Sequence, residues 1–97
     1  MTDRRVKIRG KYWWLKFVTA KETHGHLGEC DHPTVSEKSI RIRKTLKGEN
    51  RLDTIIHELL HAGQWDLNEE AVEELASDIA RVLTALGYRE GCEAPGE

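Results

Sequence analysis

The sequence predicts a small α+β domain in which an antiparallel sheet of about three strands packs on an antiparallel helix pair. Two observations lead to this prediction: strand-like alternation of charged and apolar residues in the first half, and helical spacing of apolar residues from Leu52 onward. The chain has 97 residues, enough for one domain. We expect that domain to span residues 1–90 and a flexible, polar tail to cover residues 91–97.

Three segments have the composition of strands. Arg4–Gly10 alternates charged and apolar residues, and Tyr12–Val18 is rich in aromatic residues, so we expect a hairpin or two consecutive strands. Ser39–Lys44 alternates again, with Ile40 and Ile42 facing inward and arginines facing outward. Because outward charge discourages aggregation, we expect this third strand at an edge of the sheet.

The segment Thr23–Lys38 is rich in glycine, histidine and proline and is predicted to be a loop. Histidine and cysteine are zinc ligands, so His24, His26, Cys30 and His32 raise the question of a structural zinc site. Their spacing fits no familiar closed site, and a flexible polar loop explains them as well. A further possibility is that Cys30 or a loop histidine approaches the main site.

Two helices follow the strands. The first has apolar residues at helical spacing from Leu52, Asn50 or Asp53 as its N-cap, and Gly63 at its end. The second is predicted from about residue 69 to residue 86, with Asn68 as its N-cap. Its expected apolar stripe consists of Val72, Leu75, Ala76, Ile79, Leu83 and Leu86.

The first helix contains the pattern H-E-x-x-H at residues 57–61. Residues four apart lie on one face of a helix, so His57 and His61 can present both imidazoles to one metal ion. Zinc favours imidazole nitrogens, and Glu58 lies about 100° round the helix, where it can accept a proton from an activated water. The pattern therefore predicts two zinc ligands and a general base.

A catalytic zinc site needs a third protein ligand, and the second helix offers several glutamates. Glu69 lies roughly 70° from the direction of the apolar stripe and Glu73 roughly 110°. Glu70 and Glu74 point away. Antiparallel packing sets Glu69 beside the last turn of the first helix, so Glu69 is our predicted ligand. Glu73 would hydrogen-bond His57. The alternatives are that Glu73 or Glu70 is the third ligand, or that Glu69 is a mere first-turn acid.

The stretch from Leu52 to Tyr88 resembles small phage-type zincin metallopeptidases, which look like minimal gluzincins and are similar to the SprT-like and ImmA/IrrE-like groups. H-E-x-x-H is the specific element. Glu69-x-x-x-Glu73 resembles the family pattern E-x-x-x-D but has glutamate as its second acid. The resemblance implies a zincin-like fold, and an edge strand (Ser39–Lys44) that binds an extended peptide substrate by strand addition.

The sequence thus predicts a zinc-dependent metallopeptidase that hydrolyses peptide bonds through a metal-activated water. One alternative is a zincin-like binding protein without hydrolysis, and another is a domain that zinc merely stabilises. The first alternative follows from charge: residues 1–51 carry 13 Lys/Arg and six Asp/Glu, whereas residues 52–97 carry two and 11. The basic half could meet nucleic acid or a host protein, or simply complement the acidic half.

The remaining features of the sequence indicate where in the cell the protein is located. No apolar run is long enough to span a bilayer, and the first ten residues contain no signal-like apolar stretch, so we expect a cytoplasmic protein, in the host cytoplasm if phage-encoded. Cys30 and Cys92 are expected to be free thiols because that compartment is reducing. Trp13, Trp14 and Trp65 are interpreted as packing residues rather than stacking platforms for bases.

Overall fold

The α+β prediction is confirmed by the computed structural model, which describes residues 3–88; the predicted tail over residues 91–97 lies outside them. Four strands precede two helices, and the elements in chain order are β1 (Arg4–Ile8), β2 (Lys11–Val18), β3 (Gly28–Cys30), β4 (Ser39–Arg43), α1 (Gly48–Gly63) and α2 (Glu69–Ala85).

The sheet is mixed and has four strands in the order β1-β2-β4-β3. β1 pairs antiparallel with β2, β4 pairs parallel with β2, and β3 pairs antiparallel with β4. The prediction of about three antiparallel strands therefore missed β3. It also gave the wrong direction for the β2–β4 pair, which is parallel. β3 has only three residues and lies in the segment predicted as a loop. So short a strand has no alternating pattern of its own, and its neighbour β4 defines it by hydrogen bonding.

The prediction that Ser39–Lys44 lies at a sheet edge is wrong, because β4 lies between β2 and β3. Ile40 and Ile42 are fully buried, as the alternation predicted. Arg41 is half-buried and makes ion pairs with Glu29 and Asp31 at 3.3 and 3.0 Å. The Arg41 guanidinium is thus paired with one acid in β3 and one just after it, and does not protect a free edge of the sheet. The strands at the edges of the sheet are β1 and β3.

The β1–β2 hairpin turns through Arg9 and Gly10, whose φ angles are 49° and 83°. Two positive φ values in a two-residue connection are typical of the turns that match the twist of a hairpin. The Arg9 guanidinium donates hydrogen bonds to the carbonyl oxygen of Gly63 at 3.0 Å and to Gln64 Oε1 at 2.9 Å. The hairpin turn is thereby attached to the C-terminal end of α1, where carbonyl groups lack helical partners.

The helix ends agree with the sequence in part. α1 begins at Gly48 after Lys47, which makes no side-chain capping bond, so the predicted caps Asn50 and Asp53 lie inside the helix. α2 begins after Asn68, whose side chain accepts a hydrogen bond from the Ala71 amide at 3.1 Å, as predicted. The capping residue therefore identified the start of α2 and not that of α1.

The core lies between the sheet and α1. Its buried members are Trp13, Leu15, Ile40, Ile42 and Ala62. α2 packs on α1, through contacts that bury its small residues Val72, Ala76 and Ala80. The larger residues of the predicted stripe lie beside this contact, and Leu75 and Leu86 are 43% and 68% exposed. Neither helix of the described part is long and apolar enough to cross a membrane.

Candidate metal centre

The two histidines of the H-E-x-x-H pattern lie one turn apart on α1, facing α2. Both side chains are mostly buried, at 20% exposure for His57 and 18% for His61. Their Nε2 atoms lie 3.2 Å apart. Helical periodicity brings the residues to one face, and the packing of α1 between the sheet and α2 orients the rings toward a common point.

Glu69 joins the histidines from the first turn of α2. Its Oε2 lies 3.2 Å from His57 Nε2, and its Oε1 lies 3.0 Å from His61 Nε2. The connection between α1 and α2 is short, which makes this contact possible. Its first residue, Gln64, still follows the helix, since its amide donates to the Leu60 carbonyl at 2.8 Å. The chain then reverses within a few residues, so the start of α2 lies beside the end of α1.

These three side chains have the separations that a tetrahedral metal requires. Zinc bonds of about 2.0–2.1 Å at tetrahedral angles hold ligand atoms about 3.3 Å apart. The two Nε2 atoms lie 3.2 Å apart, and the Glu69 carboxylate faces both rings, with Oε2 at 3.2 Å from His57 and Oε1 at 3.0 Å from His61; one ligand atom from each residue lies within 4.8 Å of the other two. Within residues 3–88, His57, His61 and Glu69 form the one group of three or more such side chains whose ligand atoms converge. The donor set therefore fits a zinc ion.

The other acidic candidates on α2 stay outside this cluster. Glu73 lines the adjoining cavity, but no hydrogen bond joins it to His57 within the described part of the chain. The expectation that Glu73 orients His57 thus has no support in the contacts. Glu74 lines a separate surface pocket. Glu70 is exposed and lines neither this pocket nor the cavity beside the cluster. The phase of α2 explains the result, because only Glu69 is both level with His61 and turned toward α1.

Glu58 is the buried acid of the site. Its residue is 7% exposed, and its side chain lines the same cavity as both histidines. Burial first, and then the nearby charges of Glu69 and Glu29, raise the pKa of the Glu58 carboxyl to about 7 against the opposing effects of His57 and Arg41. A carboxyl with a pKa near neutrality can accept and release a proton under ordinary conditions.

The cavity next to the cluster measures about 900 Å³ and opens to solvent. Its walls come mainly from β3, the histidine face of α1 and the residues Glu69, Glu73 and Ser77 of α2, with Arg41 of β4 and the loop before β3 completing them. Ser77 Oγ donates a hydrogen bond to Asp53 Oδ2 at 2.9 Å, which joins the two helices at the far end of the cavity.

Gly28 lets β3 approach α1 closely at this wall. A Cβ atom built on Gly28 would lie 2.9 Å from Thr54 Cγ2 and 3.1 Å from Glu58 Cγ. Real side chains do not tolerate such contacts, so a residue other than glycine would push the strand from the helix. The close approach contributes to the burial of Glu58, since β3 covers its side chain.

Two aromatic residues extend the site beyond His61, and no pattern in the sequence indicated this contact. The Trp65 ring lies 6.1 Å from the His61 ring, between centroids. His32, from the loop between β3 and β4, contacts Trp65 edge-on at 4.8 Å. The sequence suggested that Trp65 is a packing residue. Its 39% exposure shows that it lies at the surface and not in the core. A histidine and a tryptophan distant in sequence thus form one rim of the site.

The other loop residues form no second metal centre within residues 3–88. His24 contacts the Glu29 carboxylate at 3.1 Å, and the Cys30 thiol donates to the Asp31 carbonyl at 3.4 Å. Cys30 and His26 line the cavity, so part of the loop does reach the main site. Burial and the charges of Glu58 and Asp31 raise the pKa of the Cys30 thiol to about 12.

Comparison with protein-family models, curated proteins and solved structures finds no match to this chain. Its function must therefore be inferred from the contacts and distances of the site itself.

Proposed function

We propose that the protein is a zinc-dependent metallopeptidase of the zincin type. The observation that carries the proposal is the convergence of His57, His61 and Glu69 at separations that suit tetrahedral zinc, next to a buried glutamate. The order of these residues along two packed helices also agrees with the resemblance to small gluzincins. A cytoplasmic location is part of the same proposal.

Each residue has a separate task in this proposal. His57 and His61 hold the ion through their Nε2 atoms, and Glu69 holds it through a carboxylate oxygen. Bound zinc supplies a Lewis acid that polarises the scissile carbonyl and lowers the pKa of a water molecule. Glu58 accepts the proton of the attacking water at its carboxylate and delivers it to the leaving amine. Burial keeps the basicity of Glu58 suited to both transfers.

The substrate in this proposal is an extended peptide that pairs with β3. β3 is an edge strand, its three residues line the cavity, and α1 lies on the other side of that cavity. The free edge of a strand offers backbone groups to a peptide, and the helix offers the catalytic side chains. This assigns to β3 the role that the sequence had suggested for Ser39–Lys44, which has strands on both sides.

The metal is tested by zinc content after purification and dialysis. We expect wild type to retain close to one zinc per chain, His61→Ala to lose it and Glu69→Gln to lose most of it. Glu70→Gln is a matched control, since it makes the same change one residue further along α2 and outside the cluster. Zinc retained in His61→Ala, or lost equally from Glu70→Gln, would contradict the assignment of ligands.

Hydrolysis is tested separately with Glu58→Gln. The variant should keep its zinc and lose about 10²- to 10⁴-fold in the rate of peptide cleavage, measured with a mixed peptide library and mass spectrometry. Glu73→Gln, which lines the same cavity without joining the cluster, serves as the control for charge. If wild type binds zinc but cleaves no peptide, or if Glu58→Gln cleaves as well as wild type, the peptidase proposal fails.

A further inference from the structure

We infer that the face of the sheet turned away from the helices binds single-stranded nucleic acid. This outer face is defined by Arg5 and Lys7 on β1 and by Tyr12, Trp14 and Lys16 on β2. It lies apart from the metal cluster and takes no part in the proposed hydrolysis. Its chemistry is that of a cationic surface with aromatic rings between the charges.

The register of the hairpin sets these residues on one face. Arg5 pairs with Trp14, and Lys7 pairs with Tyr12, while the intervening pair of Val6 and Trp13 points into the core. α1 packs on the core side of the sheet, and α2 packs on α1. Within residues 3–88 no helix or strand packs on the outer face.

The three cations of the outer face make no close ion pair, although Glu22 lies near enough to Lys16 to attract it. No ion pair joins Arg5, Lys7 or Lys16 to a carboxylate within the described part of the chain. One acid, Glu37, does contact the face, since its carboxylate accepts a hydrogen bond from the Trp14 indole at 3.2 Å. Among the described residues, no acid of the second half forms an ion pair with these three cations, although the whole chain has a net charge of −2.

The aromatic rings hold the cations in place. The Arg5 guanidinium lies 4.8 Å from the Trp14 ring and 5.7 Å from the Tyr12 ring, and Lys7 Nζ lies 5.6 Å from the Tyr12 ring. Such contacts fix the position of a charge and keep its hydrogen-bond donors free for phosphate. Tyr12 is 52% exposed, so part of its ring remains available to a base.

A single strand fits this face better than a duplex. Cations two residues apart on a strand are about 6.6 Å apart, so they follow a backbone that runs along β1. Bases of a single strand are free to stack on Tyr12 and on the Arg5 plane, whereas a duplex keeps its bases stacked inside. β4 adds Arg41 and Arg43 to the same face, but Arg41 is paired with Glu29 and Asp31 and Arg43 donates to the His26 carbonyl, so the cations without such partners lie on β1 and β2.

The experiment measures anisotropy of a fluorescent oligothymidine of about 20 nucleotides, titrated with the full-length, zinc-loaded chain. The triple variant Arg5→Gln/Lys7→Gln/Lys16→Gln should bind at least about 100-fold more weakly at low salt. The wild-type affinity should fall with salt at a log–log slope of about −2, which corresponds to three phosphates on a single strand. Tyr12→Ala should lose about tenfold with little change in that slope.

The control variant Lys21→Gln/Lys47→Gln/Arg81→Gln removes the same charge from exposed positions outside the outer face. It should bind like wild type, and the zinc content and circular dichroism of all variants should be unchanged. If the control variant lost as much affinity as the test variant, net charge alone would explain the binding and the proposal would be overturned. Undiminished binding in the first triple variant would overturn it as well.

Competition identifies the class of partner. Duplex DNA of the same length, heparin and vesicles with anionic lipid should each compete at least about tenfold less well than the unlabelled single strand. Equal competition by any of them, together with wild-type affinity for Tyr12→Ala, would make the face a general site for polyanions and would refute the specific inference. The peptidase proposal is unaffected by either result, because its variants and its assay are separate.

Discussion

Gly28→Ala tests the closest contact between the sheet and the candidate site. The added methyl group would lie 2.9 Å from Thr54 Cγ2, whereas carbon atoms in contact prefer about 3.5–4.0 Å. β3 or α1 must therefore move by about 0.6 Å or more. The φ angle of Gly28 is not in the left-handed region, so the cost comes from packing and not from backbone strain.

Overpacking of this kind costs about 1–3 kcal/mol. A domain of this size has a free energy of unfolding of about 5–15 kcal/mol, so the loss should be easy to measure by urea denaturation. The midpoint of thermal unfolding should fall by about 5–20 °C. Because Glu58 Cγ and Oε2 lie 3.1 and 3.2 Å from the added atom, the variant should also displace Glu58 and slow any hydrolysis that depends on it.

Thr54→Ser supplies the control, because it removes the Cγ2 atom and keeps the hydroxyl that donates to the Asn50 carbonyl at 2.9 Å. Alone, it should destabilise by about 0.5–1.5 kcal/mol through the lost methyl group. In the Gly28→Ala background it should instead stabilise, with a coupling free energy of at least about 1 kcal/mol. Additive effects of the two substitutions, or a neutral Gly28→Ala, would refute the close approach of β3 to α1.

Three further predictions concern contacts outside the cluster. Ser77→Ala leaves Asp53 without the 2.9 Å bond between the helices and should cost about 1 kcal/mol in urea denaturation, whereas an unchanged midpoint would show that the bond adds nothing. Arg9→Ala removes both bonds to the end of α1 and should cost about 1–2 kcal/mol, with increased hydrogen exchange confined to the last turn of α1; exchange that rises evenly would contradict it. Because the pKa of Cys30 is raised to about 12, its thiol should stay protonated and react slowly with a thiol reagent between about pH 7 and 9 in a Cys92→Ser chain, and rapid reaction before unfolding would disprove its burial.

The candidate site was predictable to the extent that it depends on helical periodicity. His57 and His61 share a face because they are four residues apart, and the phase of α2 relative to its apolar residues selected Glu69 among four glutamates. Asn68 marked the start of α2, which determined the level of Glu69. Neighbours within about one helical turn determine the shared face of the histidines and the start of α2, and the expected antiparallel packing of two consecutive helices supplied the rest.

The sheet was predictable only in its strongest strands. The alternation of Ile40 and Ile42 identified β4 and its buried face. The pattern contains nothing about which strands lie on either side, and the placement of β4 at an edge was therefore wrong. β3 was missed because three residues with one glycine have no periodicity, and its hydrogen bonds to β4 are what make it a strand.

The sequence by itself determined the class of fold, the helix that contains the two histidines, and the glutamate that meets them from the next helix. Only the tertiary structure decided that β3 covers Glu58, that Trp65 meets His32, and that β4 lies inside the sheet. The first group depends on repeats of 3.6 and two residues, which act along the chain. The second depends on packing between residues distant in sequence, which is decided when the sheet and helices exclude water together.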